Sequence, residues 1–569
     1  MSEIVKCKDL PYKRYEIENL KAAAEEFKRS AANASGAKAV EAAYRKYLAE
    51  EEKYNTFASL AYTRYTLNTK DEFYIGEQNY YDEIGPVAAS TSTEIGNIML
   101  DSPFRAELEK LFPETFFKNL ECARRAHNEK TVAGEQEENA IVTEYSMLMS
   151  TIEVSWRGEK KPLSFVRGFM DDGDREVRRE ACCAIGRALG AHKAELDDIY
   201  DRLVKVRTRI ARDMGYKSFV EVGYNRMGRI DYDEEMVKAF RKNVLTDIVP
   251  VVAKLKAQIA ANLGITDFRF YDDGATDCGD PKPYPDAEGI LLAAKEMYHE
   301  MSEFTGKFYD KMLATEAFDT TARDGKWGGG YATTFEKYKQ AFILANFNGS
   351  SGDVDVVTHE FGHTIAFDFA MNREDRSVGI GSNETAETHS MSMEFLAWKF
   401  MDKFFRNPDE YKYKHLSDAL SFIPYGVIVD EFQHIVYENP DMTPSERDAA
   451  YLELEKKYRP YLSFDGIPYL EEGTRWQYQM HIYETPFYYI DYCLAQVVAL
   501  EFLELSEKNY DEALKRYLEH CKRGGLYPFG KLVTLAGLRS PFEDGALAEV
   551  ASSVEKILAS LRNGMKKSS

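Results

Sequence analysis

The sequence predicts a mainly α-helical chain with one small β element set directly before an internal helix. Three observations carry this expectation. Apolar residues recur at helical spacing through most of the chain, and Gly and Pro are scarce between those runs up to about residue 265. Aromatic, β-branched segments bounded by turn residues occur persuasively in only one place.

The first stretches with helical spacing are Glu16–Ser30, Lys38–Leu60, Asp82–Leu111, Glu135–Trp156 and Arg175–Met214, whose many charges read as solvated helix faces. No fixed-period repeat or low-complexity block interrupts them, which leaves a solenoid unsupported. Composition then changes at Asp267–Ala287, with Asp272-Asp273-Gly274, Cys278-Gly279-Asp280-Pro281 and Pro283-Tyr284-Pro285. This irregular connection suggests two regions, 1–265 and 266–569, with an approximate boundary and interleaved halves. Helical spacing resumes over Glu288–Leu313.

The expected strand pair follows, Gly325–Phe335 and Tyr338–Gly349. Its triplet Gly328-Gly329-Gly330, next to Tyr331, is a place where a ligand can approach the backbone closely. A phosphate loop is excluded here, because Trp327 follows Gly325-Lys326 and Thr320 stands where the first glycine belongs. From about Asn383 to Leu561 the pattern is helical again, and the tail Lys566–Ser569 is expected to fray.

Lys plus Arg number 73 against 95 Asp plus Glu, a net charge of −22. That balance argues against nucleic acid and against an anionic membrane surface as main partners. No apolar run approaches the roughly 20 residues needed to span a bilayer, and Met1–Asp9 lacks the apolar core of a signal peptide. Seven cysteines, with no metal-type spacing, read as reduced thiols in a cytoplasmic protein.

The chemistry concentrates in Ser350–His363. His359 and His363 stand four residues apart on one helix face, within reach of one metal ion. Glu360 cannot point the same way as both, which suits it to hold a metal-activated water rather than to be a third ligand. Ser350, Ser351 and Asp353 offer capping oxygens, and Val356, Val357, Phe361 and Ile365 continue a buried helix. The plain alternative is a buried helix with two satisfied histidines, so a third ligand decides the matter.

Asn383–Trp398 reads as a second helix with Asn383 as its cap. Glu387, Met391, Glu394 and Trp398 share one face. Two carboxylates on such a face are costly to bury unless they meet a cation or donors. A zinc ion for Glu387 and a ligand imidazole N–H for Glu394 meet both needs, whereas a solvent-exposed face needs neither. His389 competes as a ligand, but Glu387 completes the usual two-histidine, one-glutamate hydrolytic set. A third cluster, His481–Gln496, has Thr485 as cap and Pro486 in the first turn of a helix. It places Tyr488, Tyr489 and Tyr492 as neutral donors for an oxyanion, unless they are aromatic packing.

Together these residues resemble the thimet-oligopeptidase and oligoendopeptidase F group of zinc metallopeptidases, closer to the oligoendopeptidase F branch. The resemblance rests on His359-Glu360-Phe361-Gly362-His363, on Glu387 with Glu394 seven residues later, on His481 followed by Pro486-Phe487-Tyr488-Tyr489, and on Ala341–Gly352. It implies a large helical oligopeptidase whose two halves enclose a deep channel, with one zinc per chain held by His359, His363 and Glu387. Glu394 then supports His359, Glu360 is the general base, and His481 with Tyr488, Tyr489 or Tyr492 stabilises the transition state. It also implies that the strand near Ala341–Asn348, including Ala345 and Asn346, pairs with an extended peptide, beside Gly329, Gly330 and Tyr331. The larger oligopeptidases have glycines between the histidine and the tyrosines, whereas this chain has Tyr483-Glu484-Thr485-Pro486, which leaves the choice of tyrosine open.

The expected function is therefore zinc-dependent endopeptidase cleavage of short unstructured peptides. An exopeptidase, a helical peptide-binding protein and a di-metal carboxylate bundle are the alternatives. The last draws on the additional pairs Glu296-Met297-Tyr298-His299 and Glu431-Phe432-Gln433-His434.

Overall fold

The computed structural model describes residues 5–128 and 130–568, so Met1–Ile4, at the start of the supposed non-signal segment, and Ser569, at the end of the supposed frayed tail, lie outside the described residues. The chain is mainly helical and separates into two compact units. One comprises Met1–Arg124, Pro281–Pro408 and Val498–Leu538, and the other Arg125–Asp280, Asp409–Val497 and Arg539–Ser569. Neither is a contiguous run, and one of the crossings falls inside the irregular stretch Asp267–Ala287.

The first unit opens with α1 (Ile17–Ala32), α2 (Ala37–Leu67) and α3 (Glu72–Leu100). The last of these starts ten residues before the expected Asp82, because Asp71 caps it by accepting from the amides of Phe73 and Tyr74.

In the second unit α4 (Val132–Thr151) ends earlier than the expected Trp156. The chain continues as a hairpin of β1 (Glu153–Trp156) and β2 (Glu159–Pro162). Arg157 and Gly158 turn it, with φ of 49° and 86°. Val154 and Trp156 alternate with exposed neighbours and enter the core with Ile185 and Leu189. The expected run Arg175–Met214 is two helices, α5 (Arg175–Gly190) and α6 (Lys193–Asp213).

Back in the first unit, β3 (Phe318–Thr321), β4 (Tyr331–Phe335) and β5 (Gln340–Phe347) form a sheet in the order β3-β5-β4. The strand pair seen in the sequence is β4–β5, antiparallel with Ala332 opposite Ile343; β3 adds a parallel third strand. The sheet leads into α7 (Gly352–Asn372), and α8 (Asn383–Leu396) packs against α7. The helix begins at Asn383 itself, with Ser382 at the cap position.

Later elements are α9 (Pro408–Glu438), α10 (Tyr489–Lys508), α11 (Tyr510–Arg523) and a final helix Ala546–Ser568, which runs through the supposed frayed Lys566–Ser568. Among the described residues no helix is long and apolar enough to cross a membrane. All seven cysteines are free thiols, six of them buried.

The tightest contact between α7 and α8 lies at Gly362. A Cβ there would stand 2.5 Å from the His389 carbonyl oxygen and 2.7 Å from the Ser390 Cα. Both are backbone atoms that cannot swing away, so a methyl group must push the helices apart. Gly362→Ala is expected to destabilise the fold by about 1–3 kcal/mol despite the better helix propensity of alanine. A urea titration checks this; an unchanged or raised midpoint would refute the close-packing account.

Candidate active site

Asp353 organises the entry to α7. Its carboxylate accepts the amides of Asn348 and Gly349 at 2.9 and 2.7 Å, which ties the end of β5 to the first turn of the helix. Phe361 is buried against the rings of Tyr298 and Tyr309, with centroids 4.0 and 5.3 Å away. Fixing that face of α7 turns His359 and His363 to the side where α8 passes.

There Glu387 Oε2 lies 3.5 Å from His359 Nε2 and 3.9 Å from His363 Nε2. One ligand atom from each of the three residues lies within 4.8 Å of the others, close enough to share one ion. Glu394, two turns further along α8, meets His359 Nδ1 at 2.6 Å. That contact holds the imidazole with Nε2 toward Glu387, the arrangement that orients a metal-ligating histidine. With both imidazoles deprotonated, two nitrogens and one carboxylate oxygen fit a divalent ion of borderline character.

Burial works against a charged His359, but its hydrogen bonds to Glu387 and Glu394 hold its pKa well above the ordinary value, so an ion bound there displaces a proton from it. Burial tends to raise the Glu387 carboxyl, but His359, His363 and Ser390 hold it below the usual carboxylate value. Burial, with His359 beside it, pushes His363 down to about 4. Glu360 is pushed up to about 7 by burial, against the pull of His359 and of the Ala332 amide. A carboxylate near 7 is matched to accepting and returning a proton at neutral pH. His389 is fully buried on another side of α8, against His520 at a ring distance of 5.1 Å, and stands outside the ligand group.

His481 and the three tyrosines form a cluster in the other unit. The expected helix start at Thr485-Pro486 is not found. Phe487 has φ of 68°, which no helix accommodates, and α10 begins at Tyr489. The strained Phe487 is held by its ring, packed near Tyr224 and His434, and by its amide, which donates to Gln433 at 3.0 Å. Around His481, Tyr489 stands edge-on at 4.9 Å, Tyr488 stacks at 5.8 Å and Tyr492 lies at 6.2 Å. All three phenols therefore ring one imidazole. Burial holds that imidazole below its ordinary pKa, so it is neutral at pH 7.

Several supports were not visible in the sequence reading. Gln479 reaches His481 Nδ1 at 2.7 Å and accepts from the Tyr425 hydroxyl at 2.5 Å. Fully buried Arg207 pairs with Glu138 at 2.6 Å and donates to the carbonyls of Ile482 and Tyr483, directly after His481. Arg229, equally buried, grips the Phe487 carbonyl and Asp491. A signal for Arg207 does exist. It lies in register with the buried Leu203, Val204, Ile210 and Ala211, a charge on the apolar face of α6. Gln479 and Tyr425 carry no comparable mark.

The strand expected to pair with a peptide, β5, is central in its sheet: it pairs with β4 over Gln340–Leu344 and with β3 at Ile343, Leu344 and Phe347, while Ala345 and Asn346 stand in neither register. The Ala345 carbonyl accepts from Lys326, and the Asn346 amide donates to the carbonyls of Trp327 and Gly329. Asn346 thus shapes the glycine loop from within. Tyr331 is tied by its hydroxyl to Thr66, 2.6 Å away, and Gly329 lies under the Trp327 ring. The strand with an unpaired edge beside Glu360 is β4, through Ala332.

Among the described residues the members of the two outlying Glu-x-x-His pairs do not converge on each other, although His434 stands with Glu234 and Glu438 in a second group that could hold an ion. Glu296 lies near Lys403 while His299 meets Asp310, and Glu431 binds Lys457 while His434 meets Tyr224.

Comparisons with known proteins point the same way as this geometry. Residues 7–127 match the peptidase M3 N-terminal domain, and residues 169–552 match peptidase family M3. The oligopeptidase PepF of Bacillus subtilis (strain 168) is 23% identical over 381 residues, which are 64% of this chain and 54% of that relative. The chain thus aligns with little more than half the length of this curated relative.

Among solved structures, PZ peptidase A with inhibitor 2 is 41% identical, covers 98% of this chain and 99% of its own, and superposes with a TM-score of 0.90. A structure from Bacillus anthracis str. Ames, described provisionally as an oligoendopeptidase F, is 38% identical with a TM-score of 0.86, covering 98% and 99%. The oligoendopeptidase-F of Enterococcus faecium, 16% identical with a TM-score of 0.63 over 97% and 99%, shares the fold.

Because Glu394 orients His359, Glu394→Ala is expected to weaken divalent-metal affinity by about 10- to 100-fold. Competition against a chelator of known affinity measures it; an affinity equal to that of the unmodified chain would remove Glu394 from the metal centre.

Proposed function

This chain belongs to peptidase family M3, and from that premise we propose that it is a zinc-dependent oligoendopeptidase that cleaves internal bonds of short unstructured peptides. The observation that carries the reading is the convergence of His359, His363 and Glu387, with Glu394 behind the first ligand and Glu360 beside the group. When bound by these three residues, zinc, one ion per chain, acidifies a water molecule and polarises the scissile carbonyl.

The chain's own groups supply the rest. Glu360 takes a proton from the attacking water as the oxygen bonds to the carbonyl carbon. It returns that proton to the nitrogen as the C–N bond breaks, so one carboxylate serves both halves of the reaction. The Ala332 amide of β4 lies near enough to lower its pKa. The unpaired edge of β4, preceded by Gly329 and Gly330, is suited to an extended peptide backbone, and backbone pairing tolerates varied side chains. His481, kept neutral by burial, serves as a donor to the developing oxyanion. One of Tyr488, Tyr489 and Tyr492 serves with it. No nucleophilic side chain is required.

An internally quenched peptide with both ends capped tests this reading. Glu360→Gln is expected to retain the metal and lose about 10²- to 10⁴-fold in kcat. Zinc in both proteins with no cleavage of the capped peptide by the unmodified chain would exclude an endopeptidase. His481→Phe is expected to lower kcat by about 10²- to 10³-fold with little change in KM, as for an oxyanion donor. A change confined to KM would assign His481 to substrate binding instead. The tyrosine-to-phenylalanine series at Tyr488, Tyr489 and Tyr492 identifies the partner phenol as the one whose loss gives the same kcat signature.

A further inference from the structure

A cavity of about 370 Å³ lies within the second unit, bounded by segments of α5, α9 and the turn Thr474–Tyr478. Its volume falls in the range of small-ligand sites, about 300–1,000 Å³. Its walls mix charged and aliphatic residues with the rings of Phe270, Phe422, Tyr425 and Tyr478, and Arg475 projects among those rings. The Arg475 guanidinium lies 5.2 Å from the Tyr425 ring centre and 5.4 Å from that of Tyr478.

The charges lining the interior do not balance around Arg475. Arg459 is matched by Glu455 at 2.6 Å and by Asp273 at 3.0 Å, and Lys256 by Asp273 at 3.1 Å. Asp418 is matched by Lys414 at 2.7 Å, and Asp171 and Arg167 also line the cavity. Arg475 has no carboxylate at ion-pairing distance among the described residues; its Nη1 is shielded from solvent and has no hydrogen-bond partner. Ser421 Oγ, on the same cavity wall, is likewise shielded and unpartnered. Arg475 as a residue is half-buried, and a guanidinium with no carboxylate partner is a ready donor to an anion.

The cavity is also joined to the proposed chemistry. Tyr425, part of its wall, donates to Gln479, which in turn holds His481 Nδ1.

We propose that this cavity is a subsite for a carboxylate of the peptide substrate, received by Arg475 with the attached residue lying against the rings of Tyr425 and Tyr478. The planar guanidinium fork matches a carboxylate, and the rings accept an apolar body. The carboxylate belongs either to the peptide's C-terminus or to an acidic side chain. This inference rests on the peptidase reading for the nature of the ligand, but not on turnover.

The test is binding in the Glu360→Gln background, by fluorescence anisotropy of labelled peptides with zinc present. Three probes of one apolar sequence are compared: a free C-terminal acid, the C-terminal amide, and the amide with glutamate moved through each position. At least one carboxylate-bearing probe is expected to bind about tenfold or more tightly than the plain amide, and Arg475→Met is expected to abolish that difference while leaving amide binding unchanged. The preferred probe names the source of the carboxylate. Arg475→Lys, which keeps the charge without the fork, is expected to recover part of the preference and covers the case in which Arg475→Met fails to fold.

Arg475→Met is also expected to keep or raise Tm, since it removes a half-buried charge that has no carboxylate partner. Equal affinity of all probes for the unmodified residue at 475, or equal losses for acid and amide in the variants, would overturn the proposal. Failure of the peptidase reading would appear separately, as absent cleavage of the capped peptide with the acid preference intact.

Discussion

The metal-type cluster depends on how closely two helices approach. At Gly362 the backbone of α8 occupies the space that a side chain would need. With α7 and α8 this near, Glu387 reaches both imidazole Nε2 atoms, while Glu394 reaches the far nitrogen of His359. The aromatic contacts of Phe361 with Tyr298 and Tyr309 hold α7 in that rotation. A rigid backbone contact on one face and ring packing on another leave the ligand geometry little freedom, as a preorganised centre requires.

The second unit holds the cluster around His481 by different means. Buried guanidinium groups, Arg207 and Arg229, donate to main-chain carbonyls on either side of Pro486 and pair with Glu138 and Asp491. A buried ion pair yields little net stability, because desolvation offsets much of the attraction. What it gives here is position, since the bonds fix the segments that carry His481 and Tyr492. The left-handed backbone at Phe487 is tolerated because its ring and its amide are both anchored. Arg475 differs from these arginines in lacking a carboxylate, and that difference singles out the cavity beside it.

The sheet in the first unit shows how neighbours settle a strand's role. β5 is apolar and continuous, and it runs straight into the loop before α7, so in sequence it looks like the element nearest the chemistry. In the sheet it is the central strand, with β3 and β4 as its neighbours. The more exposed β4 keeps an open edge and delivers the Ala332 amide to Glu360.

Local regularities made a large part of this protein legible from its residues. The four-residue interval of His359 and His363 and the seven-residue interval of Glu387 and Glu394 are helix geometry written in sequence, and the helical class follows from the same periodicity. Three-dimensional neighbours decided the rest. The choice between Glu387 and His389 turned on which side of α8 faces α7, and the hairpin after Thr151 turned on a two-residue change to left-handed backbone. The central place of β5 required β3, and the chain from Tyr425 through Gln479 to His481 joins positions more than fifty residues apart. Each unit is also assembled from three separated stretches. A period describes a residue's relation to its own helix or strand; which partner lies across the interface is set by packing between distant segments, which leaves no period to read.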